Sequence, residues 1–182
     1  MAPPRRSVTR VLLRPPAPAD REEYLAAMRA SRKLHRSWLA VATPESFETL
    51  LRHVEDEHYE PMLVCRREDG AIVGFINISQ IVRGGFQSAY LGYGAVAAYA
   101  GQGYMREGLE LVLARAFTEL GLHRLEANIQ PGNRASIELV RGAGFVREGF
   151  SERYLKIGGR WRDHERWAIR AEQWRARRRS GG

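Results

Sequence analysis

The stretch that decides the fold is Ala-Gly-Gln-Gly-Tyr-Met, residues 100–105. The apolar run from Ala89 to Ala98 before it predicts a strand. After it, apolar residues recur at the spacing of an amphipathic helix, at Met105, Leu109, Val112, Leu113, Ala116, Phe117 and Leu120. A glycine turn between a strand and a helix directs unpaired backbone N–H groups, and the partial positive charge of the helix N-terminus, toward an anion. We therefore expect this turn to hold a phosphorylated cofactor.

The length and the cysteine content predict one ordinary globular domain, spanning residues 1–182. The chain is long enough to bury a core, and no apolar run approaches the ~18 residues of a membrane span. Cys65 is the only cysteine, which excludes an intrachain disulfide and a cysteine-based metal site. With no secretory signal at the N-terminus, this favours a cytoplasmic protein without a membrane partner.

The net charge of +8 is concentrated at the two ends of the chain. Residues 1–14 and residues 170–182 each carry a net charge of +4, and the charges between them balance. A basic tail can dock on RNA or on an acidic surface, but terminal charge runs are more often solvated and disordered. We interpret residues 1–7 and 175–182 as flexible basic ends and expect no specific nucleic-acid partner.

The remaining segments predict a mixed sheet with helices on its faces. Thr43 and Pro44 are typical of the N-cap and first position of a helix. Val146–Ile157 and Arg160–Arg170 predict a hairpin that turns at Gly158-Gly159. The order of elements is β, α, α, β, β, β, α, β, α, β, β, with an irregular loop at residues 34–39 between the first two helices.

The glycine turn alone is weak evidence, because it lacks the third glycine of a dinucleotide fingerprint and the Gly-Lys-Ser/Thr of a P-loop. A second element, Asn133-Arg134-Ala135-Ser136, opens a helix that ends before Gly144-Phe145. Together the two elements resemble the GNAT family of acetyl-CoA-dependent N-acetyltransferases. Within it, residues 91–164 resemble the RimJ and RimL branch, which acetylates ribosomal-protein N-termini, and the RimJ type most closely.

The resemblance implies the GNAT acyl-CoA N-acyltransferase fold. This is an α/β (α+β) fold with a mixed, mostly antiparallel sheet of about seven strands, splayed at its centre and flanked by about four helices. It also implies acetyl-CoA as the cofactor and CoA as a product. The residues that it assigns to the cofactor are Ala95, Val96, Gly101, Gln102, Gly103, Tyr104, Met105, Arg106, Asn133 and Ser136.

The resemblance assigns the chemistry to few residues. Ser136 is the candidate that assists the leaving thiolate, since Val140 stands where many members have a tyrosine. Glu126 is the leading general base, ahead of Glu152 and Asp163. The residues expected at the acceptor are His35, Trp38, Tyr93 and Tyr154. No metal is expected, because no two histidines have the i, i+4 spacing of a helical metal site.

Each assignment has a structural alternative. Asn133 is typical of a helix N-cap, and serine is common at a helix start such as Ser136. Glu126 can simply pair with Arg124 or with a neighbour across the sheet.

The acceptor that this chemistry favours is a protein N-terminal α-amine, ribosomal among the possibilities, because its pKa of ~7.7–8.0 leaves a neutral fraction near neutral pH. Two alternatives stay open: a small amine of the amino-acid or aminoglycoside kind, and a non-catalytic domain that binds RNA or protein. A monomer and a homodimer are equally compatible with the sequence.

Overall fold

The computed structural model describes residues 9–36 and 38–180, and within them a seven-stranded sheet lies between two groups of helices. The strands are β1 (Val11–Arg14), β2 (Tyr59–Arg66), β3 (Ile72–Val82), β4 (Ser88–Ala95), β5 (Arg124–Ile129), β6 (Val146–Ile157) and β7 (Arg160–Arg170). The helices are α1 (Arg21–Ala30), α2 (Arg32–His35), α3 (Pro44–Arg52), α4 (Tyr104–Thr118), α5 (Arg134–Gly142) and α6 (Ala171–Ser180). Short 3₁₀ turns occupy Pro18–Asp20, His53–Glu55 and Ala97–Tyr99.

The strand order is β1-β2-β3-β4-β5-β7-β6. Only β4 and β5 run parallel, and all other neighbours are antiparallel. One apolar cluster lies between the sheet and α4, α5 and α6, and a second lies between the opposite face and α1 and α3. The mixed, mostly antiparallel sheet of the expected fold is confirmed.

The sheet opens between β4 and β5. These two strands pair only from Ser88 opposite Arg124 to Leu91 opposite Ala127. Beyond that point β4 stays paired with β3 as far as Ala95, and β5 stays paired with β7 as far as Ile129. The strands therefore diverge in the middle of the sheet, as the sequence led us to expect.

The predicted apolar stripe of α4 explains why this helix packs beside the opening. Leu109, Val112 and Leu113 are fully buried against the sheet. In β5, residues 125, 127 and 129 face the same cluster, while residues 124, 126 and 128 alternate to the other face.

Two local predictions differ from the structure. Residues 175–180, expected in a flexible end, continue α6, because Trp174 is buried against Phe117 and Arg177 donates a hydrogen bond to the Gly142 carbonyl. The strand predicted to reach Ala98 ends at Ala95, where the chain enters a 3₁₀ turn. The expectation for residues 1–7 lies outside the described residues. No helix in the described ranges is long and apolar enough to cross a bilayer.

Candidate active site

The turn before α4 leaves the first N–H groups of that helix without a cap. Gly103 occupies the N-cap position with a φ of 86°, and Gly101 has a φ of 76°, both in the left-handed region that glycine adopts without strain. The side chains of Thr43 and Asn133 cap α3 and α5, but Gly103 has no side chain to do this for α4. The first amides of α4 are thus available to an external anion.

Arg10, the residue before β1, holds this turn, and nothing in the sequence pointed to it. Its guanidinium donates to the Gln102 carbonyl at 2.9 Å and to Glu107 at 2.7 Å, and it lies over the Tyr104 ring at 4.5 Å. Because the peptide unit is planar and trans, fixing the Gln102 carbonyl also fixes the Gly103 N–H in the opposite direction. Arg10 therefore sets the orientation of one amide of the turn.

Met105 takes the position where the family pattern has a small residue, and Gly74 on β3 makes room for it. A Cβ atom at Gly74 would lie 2.3 Å from the Met105 sulfur. The larger side chain is thus accommodated by a glycine beneath it, and the backbone of the turn keeps its path.

A cavity of about 990 Å³ occupies the opening between β4 and β5 and extends from the turn to the β6–β7 hairpin. It is lined by twelve of the residues expected in the site: His35, Trp38, Tyr93, Ala95, Gly101, Gly103, Tyr104, Met105, Arg106, Asn133, Ser136 and Tyr154. Val96, Gln102 and Glu126 do not line it. The Gln102 side chain instead donates to the Ala98 carbonyl.

The free edge of β4 offers backbone groups at Ala95. The Val96 N–H donates to the Val73 carbonyl at 2.9 Å, so this N–H is not available to the cofactor for which Val96 was a candidate. Since hydrogen-bonded pairs alternate along an antiparallel ladder, the backbone groups of Tyr93 and Ala95 face the opening. The Ala95 carbonyl accepts a hydrogen bond from His35 Nε2 at 2.8 Å, which ties α2 to this edge.

Tyr93 and Ser136 join the two sides of the opening through their hydroxyls, which lie 2.5 Å apart. Burial raises the pKa of Tyr93 to about 12, although the hydrogen bond with Ser136 acts in the opposite direction. The phenol is therefore neutral at working pH. Ser136 also keeps its structural role, because its backbone N–H donates to the Asn133 side chain.

Glu126 lies next to the cavity wall. Its carboxylate accepts a hydrogen bond from Arg124 at 2.8 Å, the pairing that the structural alternative foresaw. It lies opposite Tyr90, which does line the cavity and whose pKa is raised mainly by burial and further by a hydrogen bond with Tyr154. A role for Glu126 as base stays a prediction.

We call the part of the cavity lined by Trp38, Asn128, Gly132, Tyr154 and His164 its acceptor side. Sequence reasoning did not assign Asn128, Gly132 or His164 to the site. Trp38 rests on Gly132, where a Cβ atom would lie 3.1 Å from the indole ring. His164, buried on β7, and Asn128, on β5, also line this side. Glu138 is the one carboxylate among the described lining residues, and it pairs with Arg141 on α5. No group of three metal-ligating side chains occurs in the described ranges.

A bare glycine turn at a helix N-terminus, beside a sheet opened in its middle, is an arrangement suited to enzymes that bind acyl-CoA and transfer its acyl group. The residues fit that cofactor, since the turn presents backbone where side chains would obstruct it and Arg106 adds positive charge. Residues 10–146 match the family model described as Acetyltransferase (GNAT) domain, so the chain belongs to the GNAT acetyltransferase family. It is an acetyl-CoA-dependent N-acetyltransferase.

Three relatives place the chain within this family. A probable N-acetyltransferase of Bacillus subtilis, YjcK, is 32% identical over 169 residues, which cover 87% of this chain and 93% of that protein. The [ribosomal protein uS5]-alanine N-acetyltransferase of Escherichia coli is 36% identical over 107 residues, 59% of this chain and 55% of that protein. The structure of Mycobacterium smegmatis RimJ in complex with CoA-disulfide superposes with a TM-score of 0.81 at 29% identity, covering 89% of this chain and 82% of that one.

Proposed function

We propose that the protein transfers the acetyl group of acetyl-CoA to the N-terminal α-amine of a protein in the cytoplasm, with a ribosomal protein as the acceptor. The observation that carries this proposal is the scarcity of carboxylates around the cavity: among the described residues that line it, Glu138 is the one carboxylate, and it is paired with Arg141. The names of two relatives, the uS5-alanine N-acetyltransferase and RimJ, support it.

The charge of the cavity distinguishes the two kinds of acceptor amine. An aminoglycoside-like compound carries several ammonium groups, each of which is costly to bury without a carboxylate. A peptide N-terminus brings a single amine whose pKa of ~7.7–8.0 leaves a substantial neutral fraction at pH 7 to 8. Trp38, Tyr154 and His164 carry no negative charge. They therefore suit a peptide N-terminus with one amine better than they suit a polycation.

The cofactor supplies an acetyl thioester when bound. The amides of Gly103 to Arg106 would hold the diphosphate, and the Ala95 N–H, which faces the opening, would stabilise the negative charge that develops on the carbonyl oxygen. Ser136 donates a hydrogen bond to the sulfur. Tyr93, kept neutral by burial, donates to Ser136 and leaves the serine proton for that contact.

The bond changes balance without a covalent enzyme intermediate. The amine nitrogen bonds to the acetyl carbon, the carbon–sulfur bond breaks with its electron pair on sulfur, and one proton passes from the amine to a base or to water. Because an alcohol is a far weaker acid than a thiol with a pKa of ~8.5, Ser136 stabilises the thiolate by a hydrogen bond and keeps its proton.

A thiol-release assay on three acceptors tests the proposal. The acceptors are a short peptide that begins with alanine and contains one lysine, the same peptide with its α-amine blocked, and a polyamine. We expect release with the first alone and mass spectrometry to place the acetyl group on the α-nitrogen. Release with the blocked peptide or the polyamine, and none with the free peptide, would overturn the proposal.

A further inference from the structure

His164 is a buried histidine whose protonation state is fixed by its surroundings. It is 1% exposed on β7, and its Nδ1 lies 2.9 Å from the Arg162 carbonyl. Because a carbonyl oxygen only accepts, Nδ1 carries the proton and Nε2 of the neutral ring has a free lone pair. Burial lowers the pKa of His164, against the opposing influence of the Arg162 carbonyl and the Asp163 carboxylate. The ring is therefore neutral at pH 7.

His164 lines the cavity together with Asn128, which carries an acceptor atom that is unpaired within the described part of the chain. The β5–β7 register places Asn128 opposite Arg166, so Asn128 and His164 are diagonal neighbours on one face of the sheet. The Asn128 Oδ1 atom is buried without a hydrogen-bond partner among the described residues. Both residues line the cavity.

Few charges surround the ring. The charged residues near it on β7 are Arg162, Asp163, Glu165 and Arg166, and from β6 the ring centre of Tyr154 lies 6.1 Å from that of His164. Glu165 pairs with Arg147 and accepts a hydrogen bond from the Trp167 indole. Asp163 is held away by a hydrogen bond from the Arg153 backbone N–H. β5 contributes the neutral amide Asn128, and the neutral amide Gln130 follows directly after that strand. A neutral amine in this part of the cavity would therefore lie beside two neutral hydrogen-bond acceptors, His164 Nε2 and Asn128 Oδ1.

We propose that His164 Nε2 takes the proton of the acceptor amine, while Asn128 Oδ1 accepts another amine hydrogen and orients the nitrogen. This inference rests on the proposed function and names a base for it. The nitrogen–carbon bond forms, the proton passes from nitrogen to Nε2, and the electron pair of the broken carbon–sulfur bond stays on sulfur. The imidazolium then returns its proton to the thiolate or to water. The transfer occurs as the new bond forms, because the nitrogen becomes far more acidic at that moment.

The first test uses the unmodified protein without any ligand. Nitrogen-resolved NMR of the histidine side chains over a pH series should identify one ring with a protonated Nδ1 and a pKa below ~6.5. That signal should be missing from the spectrum of His164→Gln. A ring protonated at Nε2, or a pKa above that value, would overturn the proposal without reference to activity.

The second test compares pH profiles of kcat with the alanine peptide. His164→Gln should lower kcat by about 100-fold and remove the acid limb, with the Kd for CoA unchanged. The matched control is His123→Gln, an exposed histidine paired with Glu172, which should retain the wild-type profile. Asn128→Ala should raise KM for the peptide while the acid limb remains.

Each outcome of these profiles has a clear meaning. An acid limb that persists in His164→Gln, and disappears in Glu126→Gln, would assign the base to Glu126 and overturn the proposal. Transfer by the wild type to a small amine in place of the peptide would overturn the proposed function, and the His164 comparison would then be run with that amine. No transfer to any amine would overturn both.

Discussion

Replacing Gly103 by alanine tests the anion-binding turn through a strain that can be estimated. Gly103 has a φ of 86°, and an L residue in the left-handed region costs roughly 1–2 kcal/mol. The added Cβ atom would lie 3.1 Å from a guanidinium nitrogen of Arg10, an exposed side chain that can move. In Gly103→Ala without CoA, the turn should therefore leave the left-handed conformation. Binding of CoA should then require the turn to return to that conformation.

The strain sets the size of the expected effect. Restoring the turn costs up to the same 1–2 kcal/mol, which raises the Kd for CoA by about 5- to 30-fold. The matched control is Gly121→Ala just beyond α4, where φ is 65° and nothing lies within 4 Å of the added atom. Both variants should lose similar free energy of unfolding in denaturant titrations, but only Gly103→Ala should bind CoA more weakly by calorimetry. Gly103→Val, which adds a β-branched side chain, should abolish measurable binding.

The reasoning would be refuted by either of two results. The first is an unchanged Kd in Gly103→Ala together with the expected loss of unfolding free energy, since the turn would then not need this conformation to bind. The second is an equal weakening in Gly121→Ala, which would trace the effect to general instability.

Arg10→Gln should raise the Kd for CoA by about 1.4- to 5-fold, because an exposed ion pair contributes ~0.2–1 kcal/mol. Calorimetry that finds no change would exclude Arg10 from shaping the turn. Ser136→Ala should lower kcat by about 10- to 150-fold without weakening CoA binding, because a hydrogen bond to a charged group contributes ~1.5–3 kcal/mol. Equal steady-state rates in the variant and the wild type would remove Ser136 from the mechanism. Asp20→Asn should destabilise the fold at pH 7 and progressively less below pH ~4. Hydrogen bonds from Arg14 lower the pKa of Asp20 in the folded state. The carboxylate therefore stabilises the fold at a pH above its pKa in the unfolded chain, and this stabilisation is lost as the pH falls through its pKa in the folded protein. Denaturant titrations that find the same difference at pH 3 and pH 7 would contradict it.

Much of the fold could be predicted because its signals are local. The stripe of α4 and the cap at Thr43 are patterns within one turn or two of helix, and the structure has both. The path of α6 could not be predicted in the same way. This helix is held in place by Trp174, which packs against Phe117 of α4. The many arginines around Trp174 are typical of a solvated chain end.

The site was harder to predict, because the pairing of distant strands decides which of its residues lie next to one another. Glu126 and Asn128 share a face of β5, and only the pairing with β4 shows that the sheet has already opened at Asn128 but is still closed at Glu126. His164 joins them because β7 inserts between β5 and β6. Arg10 reaches the turn across 92 residues of sequence, a distance over which no motif carries information.

The central claim is that the backbone of the turn holds the CoA diphosphate and leaves the thioester beside the opening in the sheet. Residue-resolved amide NMR with and without CoA tests it most directly. We expect the amides of Gly103 to Arg106, together with that of Ala95, to shift and to become protected from hydrogen exchange when CoA binds. Binding of CoA that leaves those amides unchanged and protects another part of the chain would contradict the account.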